Sequence, residues 1–271
     1  MAIITISRGT FSGGMAVAEK LSAKLGYPCI SKEVVLDAVE EFGVPEEKLI
    51  AAMEKPPKSW LQSPERRITH LNYVRYALLK RARKDDLVYH GYAGHLLLGD
   101  IAHVIRVRVI ADMEYRINAA IELENISRKE AISRIKKLDK QSLNWTRFLY
   151  GVDWEEPSLY DLVINIDRLS VEGAAEIIAQ MVQLEDFRPD ESSRRAFNNQ
   201  VLSSMVWAAL TKDERTNTSN LRVTADDGVV TISGNAGYES TLKAIEEVTM
   251  KVEGVKEFIN EAGIYSDQQR L

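Results

Sequence analysis

The chain has 271 residues, 45% of them hydrophobic and 28% charged, which excludes wholesale disorder and fits one large domain followed by a small one. A formal net charge of -5 excludes a global attraction to nucleic acid or anionic lipid, so no nucleic-acid partner is expected and membrane association has no support from charge. The single cysteine, Cys29, reads as a small buried hydrophobe, and with no apolar run near the ~18 residues of a membrane span the expected location is the cytoplasm.

Residues Ile3 to Ile6 predict a buried strand, the turn from Ser7 to Gly14 follows, and Val17, Leu21 and Leu25 mark a helix that Gly26 stops. "YPCIS" reads as a second strand, 32–42 as a helix, and "VPEEKLIAAME" as another with proline and glutamates at its start. The three prolines of "EKPPKSWLQSPERR" predict a loop or irregular arm before a helix over 68–82. "DLVYHGYAGHLLL" gives a strand ending at a second glycine turn, and "HVIRVRVIA" gives a longer strand on which Arg106 and Arg108 face the same way. Helices over 112–124 and 129–138 precede a more polar stretch, and "DLVINI" and "VEGAAEIIAQMVQL" supply a late strand and helix. The order predicts an α/β domain with a parallel sheet covered on both sides. After Leu184, "EDFRPDESSRR" reads as a charged linker. An α-β-β-α-β module follows, with "DDG" as the tight turn of a hairpin.

The first turn carries the chemistry. The leading N–H groups of a helix have no intrahelical partner and, with the helix dipole, hold phosphate, while Gly13 and Gly14 permit the close approach. Ser7, Arg8, Gly9, Thr10, Phe11, Ser12, Gly13, Gly14 and Met15 are therefore the candidate phosphate-binding loop. Against the G-x-x-x-x-G-K-[ST] pattern, Gly9 and Gly14 fit but Met15 and Ala16 stand where lysine and the hydroxyl belong. Aligned on the helix instead, Gly14 and Met15 occupy those two places. Either way a cation and a magnesium-holding hydroxyl are missing, so transfer should suffer more than binding. Two glycines before a helix also serve as a plain structural turn. His90, His95 and His103 are too loosely spaced for zinc, and no protein cluster for a metal is expected.

Taken together, "ITISR", "SGG", "LSAKLGYP", "LVYHG", "RVRVIA", "DMEYRI" and "YGVDWEEPSLYDLVINIDRLS" resemble the cytidylate kinase-like family of P-loop proteins over roughly residues 1 to 183. The resemblance implies a P-loop kinase-like parallel sheet with flanking helices, nucleotide as the small-molecule partner, and ATP with Mg2+ as cofactors. Arg8 and Gly14 match that family's loop, whereas Met15 replaces an arginine and Phe11 a glycine. At the second turn His90 and Tyr92 form a possible acceptor site, Tyr92 standing where an arginine is anticipated. The stretch from Arg128 to Arg147 is similar to the family's lid, making Arg128, Arg134 and Arg147 possible catalytic residues, although basic residues also coat solvent-facing helices. Ser142 replaces another lid arginine. Asp139, Asp153 and Asp167 are possible supporting residues.

"LRVTADDGVVTISG" and "VEGVKEFIN" resemble a BON domain, a small α+β fold, with Leu242, Ile245, Val248 and Val252 as the core face of its helix. Domains like it associate with phospholipid or serve as interaction modules, but this helix carries four glutamates against two lysines. The expected organisation is a kinase-like domain over 1–186, a linker over 187–195, a BON-like domain over 196–266 and a tail over 267–271. The expected function is nucleotide binding, with weak nucleoside monophosphate kinase activity from ATP to CMP or dCMP and a regulatory or assembly module attached. The alternative is a non-catalytic scaffold. The proline-rich arm, with Trp60, and the end module favour a homo-oligomer.

Overall fold

The computed structural model describes residues 2–54, 64–99, 101–217 and 220–264. It divides into two compact units, one of residues 1–71 and 84–189 and one of residues 72–83 and 190–271.

In the first unit five parallel strands, β1 (Ile3–Arg8), β2 (Cys29–Ile30), β3 (Leu87–Tyr89), β4 (Val104–Ile110) and β5 (Leu162–Asn165), lie in the order β2-β3-β1-β4-β5. Strand β1 is central and pairs with β3 on one side and β4 on the other, so the chain reverses direction across the sheet at its carboxyl end. That is the crevice where doubly wound sheets bind ligands. One face is sealed by α1 (Gly14–Leu25) and α8 (Val171–Met181), with Ile4, Ile6, Val17 and Leu21 packed against Ala174 and Ile178. Fully buried apolar strands of this kind require cover on both faces.

The remaining helices are α2 (Glu33–Phe42), α3 (Glu46–Glu54), α4 (Pro64–Ala82), the single turn α5 (Gly94–Leu97), α6 (Met113–Glu124) and α7 (Arg128–Tyr150). Helix α4 begins four residues before the expected start at Ile68, with proline in the first turn, where its missing N–H costs nothing. Residues 55–63 of the proline-rich arm, with Trp60, lie outside the described residues.

Helix α7 corrects a second expectation. The stretch read as a short helix and a polar segment is one helix of 23 residues. Ser127 and Glu130 close a capping box at its start, Gly151 ends it at φ 67, and no proline or glycine interrupts it. Polar residues keep helical propensity when the next breaker is that far away.

The second unit holds α9 (Glu191–Lys212), β6 (Asn220–Asp226), β7 (Val229–Asn235), α10 (Glu239–Thr249) and β8 (Glu257–Gly263), the expected α-β-β-α-β order. Strands β6 and β7 form a hairpin whose two-residue turn, Asp227 and Gly228, has both φ values positive, the geometry that twists with the strands. Val230 and Ile232 pack with Ile245 and Val248, and Leu242 and Val252 border that cluster. The charged stretch expected as a linker over 187–195 is helical from Glu191. Asp190 accepts from the Ser193 N–H at 2.6 Å while the Ser193 hydroxyl bonds the Asp190 N–H, so the polar residues there cap a helix instead of spacing one.

Candidate nucleotide site

Strand β1 ends at Arg8, and the chain turns through residues 9–13 into α1. Val17 N–H is the first to close onto the turn, bonding Gly13 O at 3.2 Å, so the N–H groups of Gly14, Met15 and Ala16 precede the helix ladder. Gly13 sits at φ 71, and a Cβ there would meet Ile166 Cδ1 at 2.5 Å. At Gly14 a Cβ would fall 2.6 Å from Cβ of Arg8. Glycine at 14 therefore lets the Arg8 side chain cross the start of the helix, and its Nη1 donates to the His90 carbonyl at the end of β3. The two glycine turns are joined by that arginine.

Ser12 does not face outward. Its hydroxyl, 1% exposed, donates to Gly9 O and Val109 O, each at 2.9 Å, and fixes the loop to β4. Met15 is 53% exposed and presents no polar atom at the helix start. Phe11 has φ 58, a left-handed backbone that glycine adopts freely and phenylalanine only at a cost. Its ring packs on Ile117, Ala120, Ala131 and Ile135, the cluster joining α6 to α7.

A second arginine reaches the loop, one that sequence reasoning did not single out. Arg116 on α6 donates from Nε to the Thr10 carbonyl at 2.7 Å, and its Nη2 bonds Asp139 Oδ1 and Oδ2 at 2.8 and 2.6 Å. Asp139 thus anchors the arginine that holds the loop. Arg116 itself was present in "DMEYRI", quoted for the family resemblance. Arg128, Arg134 and Arg147 are placed differently. They pair with Glu114 at 2.6 Å, Glu124 at 2.7 Å and Asp153 at 2.8 Å, and each side chain is more than half exposed. Asp167 is exposed beyond β5, its N–H bonded to the Asn165 side chain.

At the second turn, His90 Nδ1 is buried without a hydrogen-bond partner, and burial, followed by the Arg8 charge, lowers the imidazole pKa. Gly91 is required because a Cβ would overlap the Tyr89 ring. Tyr92 is 43% exposed, and its carbonyl accepts from the Tyr89 hydroxyl at 3.3 Å.

Behind the loop runs a buried polar chain. The Ser7 hydroxyl meets His95 Nδ1 at 2.7 Å, His95 Nε2 meets the Tyr160 hydroxyl at 3.4 Å, and Tyr160 donates to the Trp154 carbonyl at 2.7 Å. Because a carbonyl only accepts, Tyr160 must accept from His95, which assigns the proton to Nε2 and leaves Nδ1 to accept from Ser7. Arg108 is only 6% exposed; it donates to the same Trp154 carbonyl, and its guanidinium carbon lies 4.3 Å from the Trp154 ring centroid. Arg106, on the same face of β4, lies nearer the surface and pairs with Asp161 at 2.8 Å. Burial, then Arg106 and Arg108, pushes the His95 pKa down to about 3.

The glycines and the free helix N–H groups fit a phosphate. A protein-held magnesium ion does not fit equally well: the Ser12 hydroxyl is committed to two carbonyls, Met15 offers no ligand, and no group of three or more His, Cys, Asp or Glu among the described residues could hold a metal. Among the described residues no helix is long and apolar enough to cross a membrane.

Residues 3–168 match the Cytidylate kinase-like family, and residues 198–262 match the BON domain. A cytidylate kinase of Ignicoccus hospitalis is 30% identical over 185 residues, covering 67% of this chain and 99% of its own. One from Methanopyrus kandleri is 26% identical over 177 residues, covering 62% and 86%. A crystal structure of an uncharacterized protein from Eubacterium ventriosum superposes with a TM-score of 0.53 at 20% identity, over 68% of this chain and 99% of its own, and shares the fold.

Proposed function

Since the chain belongs to the cytidylate kinase-like family and carries a BON domain, we propose that it binds nucleotide at the turn after β1 and transfers phosphoryl groups weakly, from ATP to CMP or dCMP, under the influence of the BON-like module. The observation that carries the reading is the open helix start at Gly14 flanked by two arginines, Arg8 toward β3 and Arg116 toward α6. Free N–H groups and fixed guanidinium charge are what a polyphosphate requires.

Bound ATP with its magnesium would supply the phosphoryl group. The chain's own part is positional: Gly13 and Gly14 let the backbone approach, Arg116 fixes the loop through Thr10, and Arg8 holds the loop to the acceptor turn at His90. In-line transfer depends on such placement and on charge near the transferring group. Met15 leaves that charge one cation short, which is the reason for proposing weak turnover. The same observation supports a second reading, binding without transfer, in which the protein reports on nucleotide.

Isothermal titration with ATP and magnesium, and with CMP, dCMP, UMP and AMP, followed by a transfer assay on the pair that binds, separates these readings. Binding with turnover supports the kinase. Binding alone supports the sensor, and no binding with any nucleotide overturns both and leaves a scaffold.

A further inference from the structure

Helix α9 buries two faces. At about 100° per residue, Val206 and Leu210 turn toward the hairpin and pack with Val230, Ile232, Ile245 and Val248. Phe197, Val201, Ser204 and Ala208 recur at spacings of four, three and four on the opposite face, are 5 to 8% exposed, and take no part in that cluster. A helix buried on two sides needs a second cover. Residues 72–83, the last part of α4, belong to the same compact unit. The Tyr73 ring lies 5.3 Å from the Trp207 ring, and Arg75 Nη2 donates to Gln200 Oε1 at 3.1 Å. Val74, Ala77, Leu78 and Ala82 on that segment are at most 2% exposed.

In sequence this segment lies inside the 3–168 match to the kinase-like family, more than a hundred residues before the BON match begins at 198. We infer that residues 72–83 fold as an added helix of the BON-like module, and that this borrowed helix is the route by which the module governs the acceptor side of the nucleotide site. Past Arg83 the chain makes a tight turn, with Asp85 and Asp86 both at φ 54, and runs directly through β3 to His90, whose carbonyl receives Arg8. Ordering of one end of this stretch biases the other, and any such coupling is reciprocal. The second half of the inference rests on the nucleotide-binding reading; the first half does not.

Hydrogen exchange on the full-length chain, with peptides read across a urea series, tests it. The expected result is that amides of 74–82 open with those of α9 and β7 at one common free energy, apart from β1 and β4. Opening of 74–82 together with β1 and β4, independently of β7, overturns the inference. Val201→Asp, on the face of α9 turned away from the hairpin, is expected to speed exchange in 74–82, α9 and β7 together at least tenfold while β1 and β4 stay protected. If that variant unfolds the module, the milder Trp207→Ala is expected to speed it at least threefold, and no acceleration there overturns the borrowed helix. Saturating CMP is then expected to slow exchange in 74–82 and α9 at least threefold. CMP that binds by titration without that slowing overturns the route alone. CMP that does not bind removes the nucleotide reading and the route with it, while the borrowed helix is still decided by the first two arms.

Discussion

The Ser7 hydroxyl and the His95 imidazole, 88 residues apart in the chain, meet at 2.7 Å at the carboxyl end of β1, and the histidine passes the contact on to Tyr160. Every donor in that chain has an acceptor only while His95 is neutral. Protonation of Nδ1 would set a donor against the donating Ser7 hydroxyl beside two arginines.

This gives the fold an acid limb. The folded pKa of His95 lies at about 3, below the unfolded value of about 6.5, so the unfolded state binds the extra proton between them. The stabilisation is complete above the unfolded value and is lost as pH falls from there toward the folded one, with a slope approaching about 1.4 kcal/mol per pH unit. Urea denaturation at pH 7 and pH 4.5 should show His95→Gln less stable than the parent at pH 7, with the gap narrowing at pH 4.5. A gap independent of pH would contradict the neutral assignment.

Phe11 exchanges backbone strain for ring packing. Alanine at 11 keeps the left-handed backbone and loses the ring, whereas glycine loses the ring and the strain together. Phe11→Gly is therefore expected to be about 1 kcal/mol more stable than Phe11→Ala, the reverse of the usual order, because a left-handed residue other than glycine costs about 1–2 kcal/mol. Chemical denaturation of the two variants decides it.

Arg116→Lys cannot span Thr10 and both Asp139 oxygens at once, since an ammonium lacks the planar fork. ATP affinity measured by titration is expected to fall at least tenfold. The same change at Arg128, Arg134 and Arg147 should shift affinity less than twofold, because exposed pairs are worth about 0–1 kcal/mol and none of the three touches the loop.

Met15→Lys restores a cation at the helix start. A positive charge at that end of the dipole costs the free protein about 0.3–1 kcal/mol in stability. ATP affinity is expected to rise roughly fivefold to tenfold, about 1–1.4 kcal/mol. Reduced thermal stability without a gain in affinity would mean that phosphate does not lie at this helix.

The outline of the fold was legible because its signals are local. Apolar strands, glycine stops and the "DDG" turn each act within a few residues, and they lead to the sheet and hairpin observed. The roles of Arg116 and His95 were not legible, since each depends on a partner across the sheet or on a neighbouring helix. Ser12 looked like a ligand from its place in the loop, yet its hydroxyl answers to Val109, a residue far along the chain. Arg128, Arg134 and Arg147 drew attention through a resemblance to a family's lid, and neither that likeness nor charge on a helix reveals which acid stands opposite. The charged stretch after Leu184 misled because Asp and Ser are abundant both in linkers and at helix caps.

The borrowed helix also has a consequence for synthesis. Residues 72–83 leave the ribosome roughly a hundred residues ahead of α9, a delay of about 5–20 s at ordinary elongation rates of about 5–20 residues per second. During that interval Tyr73 and Arg75 are present before Trp207 and Gln200, the α9 residues they meet in the folded protein. A ribosome stalled or a message truncated before codon 190 would release a product in which residues 72–83 never meet α9. Completion of this segment's surroundings thereby waits on the C-terminal sequence, a dependence written into the order of translation.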